Sequence, residues 1–154
     1  MEPRLRMARL TPDMYRELSA LGHKAEGTVE PLLAELVKLR ASQINHCAFC
    51  LDMHYKDARA LGETEERLYM LPAWREATVY TERERAALAL TESITELTDG
   101  YVPDEVYDAA AKVFDEKELA TVIWLAAIIN TWNRLNVTTR NPAGAYRSAK
   151  QPLA

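Results

Sequence analysis

A chain of 154 residues, 48% of them hydrophobic and 27% charged, can bury one core without covalent staples and has the mix of an ordinary globular domain. Its formal net charge of −4 provides no broad basic face, which argues against nucleic acid or an anionic membrane as partner. The opening MEPRLRMARL is broken by charges, the apolar run from Leu119 to Ile129 is too short for a bilayer span of roughly 20 residues, and two cysteines do not make a secreted disulfide scaffold. A cytoplasmic location is therefore expected.

The elements read as helix throughout. Thr11-Pro12-Asp13 places a cap, a first-turn proline and an acid, with Gly22 as a stop. EPLLAELVKLRASQI carries Leu32, Leu33, Leu36, Val37, Leu39 and Ile44 at helical spacing, with Glu35, Lys38 and Arg40 on other sides. A second helix is predicted from about Cys47 to Leu61, ended by Gly62, with Asn45 as its N-cap. Thr64 caps a short helix that Pro72 interrupts. Thr81 and Glu84 form a capping box for a helix ending near Asp99-Gly100; Pro103 begins another, and Asp115 with Glu118 precedes ELATVIWLAAIINTWNRL. No segment alternates over a strand's length, so the fold class is all-α, a compact helical-hairpin domain of about six to eight helices. One domain spans 1–154, with 141–154 as a loose C-terminal arm. LAELVKLRA (33–41) and LATVIWLAA (119–127) share four identities in nine, which leaves duplication and chance both open.

QINHCAFCLDMH, residues 43–54, holds both cysteines and two of the three histidines. Cys47 and Cys50 are i, i+3 and Cys50 and His54 are i, i+4, so all three share one stripe of a helix. The helix N-terminus favours a thiolate at Cys47, and an imidazole within reach can take the proton of Cys50. In a continuous helix Glu35 would lie about 18 Å from Cys47. A hairpin pivoting at Asn45 instead brings Glu35 level with His54, where a carboxylate fixes the imidazole tautomer and raises its basicity. Three other readings stand beside this relay. Two buried thiols need no function. A zinc site would have only Cys47, Cys50 and either His46 or His54 as ligands, one short of a tetrahedron. A thioredoxin-type pair would follow a strand, and none is predicted. His46 reads as a capping or surface residue and His23 as a helix-end residue; Trp124 and Trp132 read as core or interface.

The spacing E-x11-C-x2-C-x3-H, carried by Glu35, Cys47, Cys50 and His54, resembles the signature of AhpD-like alkylhydroperoxidases of the carboxymuconolactone decarboxylase superfamily. LVKLRASQINHCAFCLDMHYKDARALGETEERLYMLPAWRE is similar to that family's core, and a looser likeness runs on through TERERAALALTESIT to NTWNRLN. The resemblance implies a helical fold assembled as dimers, trimers or hexamers. It also implies a CxxC that cycles between dithiol and disulfide to reduce hydroperoxides, with catalytic roles for Cys50, Cys47, His54 and Glu35. No metal and no organic cofactor is expected; the expected partners are a small hydroperoxide and an external dithiol, with a lipoyl group or a peroxiredoxin as candidates. Peroxidase members have a histidine just before the second cysteine, where this chain has Phe49. The decarboxylase branch lacks the cysteine pair. The readings carried forward are a thiol peroxidase or disulfide reductase, a non-enzymatic redox-responsive oligomer, and a zinc-bound helical module.

Overall fold

The computed structural model describes residues 2–97 and 100–152. Among them are eight α-helices and one 3₁₀ turn: α1 (Met7–Leu10), α2 (Pro12–Glu26), α3 (Pro31–Ile44), α4 (Ala48–Ala60), α5 (Glu65–Met70) continuing into Leu71–Ala73, α6 (Glu82–Glu96), α7 (Asp104–Val113) and α8 (Glu116–Thr139). Both predicted capping boxes form. Thr81 and Glu84 close one at the start of α6, and Asp115 and Glu118 close the other at the start of α8, so orphan N–H groups at each helix start are satisfied by side chains.

Several boundaries differ from the sequence reading. α2 runs through Gly22 to Glu26, because Gly22 faces Ile128 of α8 inside the helix and the chain turns only at Gly27. His23 lies in the last turn of α2, a helix-end residue as expected, although the helix ends four residues beyond Gly22. The Thr11 hydroxyl does not cap α2; it donates back to the Met7 carbonyl. α6 ends at Glu96 with Leu97 in the left-handed region, and Asp99, the expected end, lies outside the described residues.

α3 is the centre of the molecule. It packs against α4, α6 and α8, and Leu33, Leu36, Val37, Leu39 and Ala41 are all buried. One apolar cluster joins α3, α6, α7 and α8 through Val37, Leu90, Ala110 and Val122; a second joins α3 to α4, α5 and α6 through Leu39, Ala58, Leu68 and Leu88. A third, small cluster gathers Ala41, Cys47, Cys50 and Ile129, with Phe49 and Trp132 against it. Trp132 is half-buried and meets Tyr15 edge-on, ring centroids 4.8 Å apart. Trp124 is not a core residue of this chain: it is 55% exposed on the outer side of α8.

Candidate active site at the α3–α4 turn

The turn between α3 and α4 differs from expectation, with the N-cap of α4 two residues further on. Asn45 caps the C-terminus of α3, not the start of α4. The Cys47 N–H donates to the Ser42 carbonyl and the His46 N–H to the Gln43 carbonyl, the paired bonds of a Schellman stop. Such a stop needs a left-handed residue where glycine is usual, and His46 takes it with φ 53°. His46 is exposed. The apex is anchored from below: the Asn45 amide donates to Asn130 and Asn133 of α8 at 2.8 and 2.9 Å, and Asn133 donates to the Ser42 hydroxyl at 3.0 Å.

The reversal makes Cys47 the N-cap of α4, with its Sγ accepting from the Cys50 backbone N–H at 3.4 Å. The two thiols are joined as a disulfide, and both are buried, Cys47 at 1% and Cys50 at 0% exposure. The Asn136 amide of α8 lies 3.5 Å from Cys50 Sγ as donor.

The hairpin brings Glu35 and His54 together: His54 Nδ1 and Glu35 Oε2 are 2.9 Å apart. Glu35 is not a solvated acid of an amphipathic face but wholly buried. Lys38 supplies its counter-charge, with Nζ 2.6 Å from Glu35 Oε1 and 2.6 Å from Glu26 Oε1. Burial alone would raise the Glu35 pKa; the hydrogen bond to His54 and the nearby positive charge outweigh it and hold the carboxyl far below its ordinary range. Burial drives the His54 pKa down, and the Lys38 charge pushes the same way, against the opposing pull of the Glu35 bond. The pair therefore rests as carboxylate and neutral imidazole at neutral pH. A carboxylate only accepts, so Nδ1 carries the proton and Nε2 is left as the basic nitrogen.

The C-terminal arm supplies what sequence reasoning missed. Residues 141–152 hold no regular element, but they are not loose. Tyr146 and Ser148 hydroxyls donate to Asp57, the Gly144 N–H donates to Asp52, and Lys150 Nζ lies 3.1 Å from Glu35 Oε1. Each partner is an acid of α3 or α4, which is why an arm containing Pro142 and Gly144 lies down along them. No signal in the sequence links Lys150 to Glu35. Lys38, one turn from Glu35, was within reach of helical spacing alone.

A cavity of about 330 Å³ opens beside this network. Its charged end has Glu26, Lys38, His54, Asp57 and Lys150, and its apolar wall includes Phe49, Met53, Ile128 and Trp132. Ligand atoms of Glu35, His54 and Asp57 lie within 4.8 Å of one another. Two ammonium groups already neutralise Glu35 and two hydroxyls occupy Asp57, so a cation there would meet repulsion before it met free ligands.

The family model for the carboxymuconolactone decarboxylase family matches residues 12–93, more than half of the chain. The chain belongs to that family. The uncharacterised protein YdfG of Bacillus subtilis is 42% identical over 120 residues, which cover 78% of this chain and 82% of YdfG. The family's AhpD-like fold is shared with a crystal structure of an Agrobacterium tumefaciens protein of unknown function, proposed there as the antioxidant defence protein AhpD. The TM-score is 0.89 at 34% identity, covering 94% of this chain and all of that one. The debrominase Bmp8 superposes with a TM-score of 0.77 at 18% identity, over 88% of this chain and 73% of its own; at that identity the likeness concerns the fold alone. Among the described residues, no helix is long and apolar enough to cross a membrane.

Proposed function

We propose that the chain is a thiol-dependent peroxidase or disulfide reductase that works through the Cys47–Cys50 pair. The observation that carries this reading is the Cys47–Cys50 disulfide at the start of α4, one helical turn before a buried neutral imidazole held on a carboxylate, His54 on Glu35 at 2.9 Å, which borders a cavity of about 330 Å³. In the reduced protein His54 takes the Cys50 proton, and the Cys50 thiolate attacks a peroxide oxygen. The O–O bond breaks, the alcohol leaves with a proton, and Cys50 becomes a sulfenic acid. The Cys47 thiolate then attacks the Cys50 sulfur, water leaves, and the disulfide forms. An external dithiol supplies two electrons to restore the pair. Asn136 stabilises negative charge on Cys50, and the Cys50 N–H does the same for Cys47, the residue best placed to resolve.

Cys50→Ser should abolish hydroperoxide consumption, whereas Cys47→Ser should accumulate a sulfenic acid detectable by mass spectrometry. Full turnover by both variants with a dithiol reductant would overturn the mechanism. Oxidation of the dithiol by an organic hydroperoxide no faster than that of free cysteine would favour a slow redox-responsive oligomer. About one zinc per chain, lost on Cys47→Ala, would favour the metal-bound module. The reading also includes assembly into a homo-oligomer, a dimer, trimer or hexamer, to which the exposed Trp124 on α8 is the candidate contact. Sedimentation at micromolar concentration tests this, and a fully active monomer would refute it.

A further inference from the structure

Cys47 borders a second hollow that His54 does not reach. Two adjoining cavities of about 510 and 550 Å³ share Phe49, Asn136, Asn141 and Pro142; the first has Cys47, His46 and Arg140 in its wall, the second Arg6 and Arg9. Neither wall contains an aspartate or glutamate, although the chain as a whole is acidic. All three arginines are exposed, and among the described residues none of them stands in an ion pair. The N-terminal stretch that bears two of them is tied to the end of α8: the Arg4 N–H donates to the Thr139 carbonyl at 2.8 Å and its guanidinium to Thr138 at 3.1 Å. The cavity that His54 borders is built differently, with Glu26 and Asp57 beside its two lysines.

We propose that this arginine-lined hollow is the reductant site, and that it selects a small dithiol bearing a carboxylate. The inference rests on the redox reading above. Cys47 lines the hollow yet is only 1% exposed, too recessed for a flat protein surface, so a reductant that reaches it must be slender. Unpaired guanidinium groups bind a carboxylate through paired N–H donors and raise the local concentration of an anion. The chemistry follows from which sulfur can be reached. One thiolate of the reductant attacks Cys47 Sγ, the Cys47–Cys50 bond breaks, and Cys50 leaves as a thiolate facing the Asn136 amide. The second reductant thiol, deprotonated, then displaces Cys47 from the mixed disulfide. The reductant ends as its own disulfide, and its two protons go to the two protein thiols.

The test compares dihydrolipoate with dihydrolipoamide, two dithiols that differ in one carboxylate, as reductants of the oxidised protein, with thiols counted after acid quench and no peroxide present. Wild type should favour dihydrolipoate, and the combined Arg6→Glu, Arg9→Glu, Arg140→Glu variant should lower that rate ratio by about tenfold, as should raising the salt concentration. The milder Arg→Gln set, checked for wild-type helicity, should give the same direction with a smaller change. A ratio near one in wild type, or an equal slowing of both dithiols in the variants, overturns the proposal. Failure of the peroxidase reading would show separately, as no hydroperoxide turnover with either dithiol while the rate ratio persisted.

Discussion

Two of the buried ion networks bear comparison, and only one of the two is a candidate for chemistry. At one end, Glu63, Arg67 and Glu84 tie α5 to α6; Arg67 also donates to the Val79 carbonyl, lies over the Tyr80 ring, and accepts the Tyr80 hydroxyl on its own carbonyl. Burial would lower the Arg67 pKa, but the hydrogen bonds to Glu84 and Glu63 raise it beyond its ordinary value, so its charge is fixed. At the other end, Glu26, Lys38, Glu35 and Lys150 form a network that holds His54 through Glu35 as a neutral base, beside a cavity and one helical turn from the disulfide. Burial of charge is common to both. What separates them is one member that rests as a neutral base, with open space beside it.

Substitutions at the two centres should break the molecule in different ways. Glu35→Gln leaves Lys38 short of a partner and frees the His54 tautomer, and it should lower hydroperoxide turnover by about 10²- to 10⁴-fold, the range of a lost general base. Arg67→Met strands the buried Glu63, whose Oε2 already lacks a partner, and should cost about 2–3 kcal/mol of unfolding free energy without a comparable loss of turnover. Steady-state kinetics and urea melts on the two variants check this. An active Glu35→Gln, or an Arg67→Met that loses turnover while keeping its stability, would dissolve the distinction.

The same contrast has a pH signature. The folded protein holds His54 below its ordinary 6.5 and Glu35 below its ordinary 4.5, so the unfolded chain binds more protons on the acid side. Stability from this end is present above 6.5 and is lost as pH falls, first through the His54 window and then below 4.5. Tyr80 behaves oppositely. Burial first, with the carboxylates of Glu63 and Glu84, pushes its hydroxyl up from 10.0 to about 12. The unfolded chain releases that proton first, so stability from the Arg67 end falls as pH rises past 10. His54→Gln should flatten the acid limb of a melting-temperature profile, and Tyr80→Phe the alkaline limb. Crossed effects would contradict the assignment.

Much of this was legible in the sequence because it was local. Thr81/Glu84 and Asp115/Glu118 are capping boxes readable from four residues each, and the Glu35–His54 pairing followed from counting back from a turn. The N-cap of α4 was placed two residues early, since a Schellman stop with histidine in the left-handed position carries no glycine signal. The burial of Glu35 was invisible for another reason: its cover comes from Lys38, Glu26 and Lys150, the last 115 positions away along the chain. The choice between core and interface for Trp124 was not legible, because an apolar helix looks alike whether its outer side meets its own fold or is left open, and the structure removes the core alternative.

The smallest effect should come from Lys150, and it tests whether the arm belongs to the site. Lys150 Nζ lies 3.1 Å from Glu35 Oε1 and 3.4 Å from Glu26 Oε2, and its side chain keeps 29% of its exposure, so water screens both pairs. Glu35 retains Lys38 at 2.6 Å whatever happens to the arm. Lys150→Met should therefore cost about 0.5–1 kcal/mol and lower turnover by less than about tenfold. Losing a cation beside Glu35 also raises that carboxyl's pKa in the folded state, so the acid limb of the stability profile should move to higher pH. Lys150→Arg keeps the charge and should restore both. A Lys150→Met defect as deep as that of Glu35→Gln, rescued by arginine, would show that the arm does more than cover the network: it would make the fourth charge as necessary to the His54 tautomer as the carboxylate it faces.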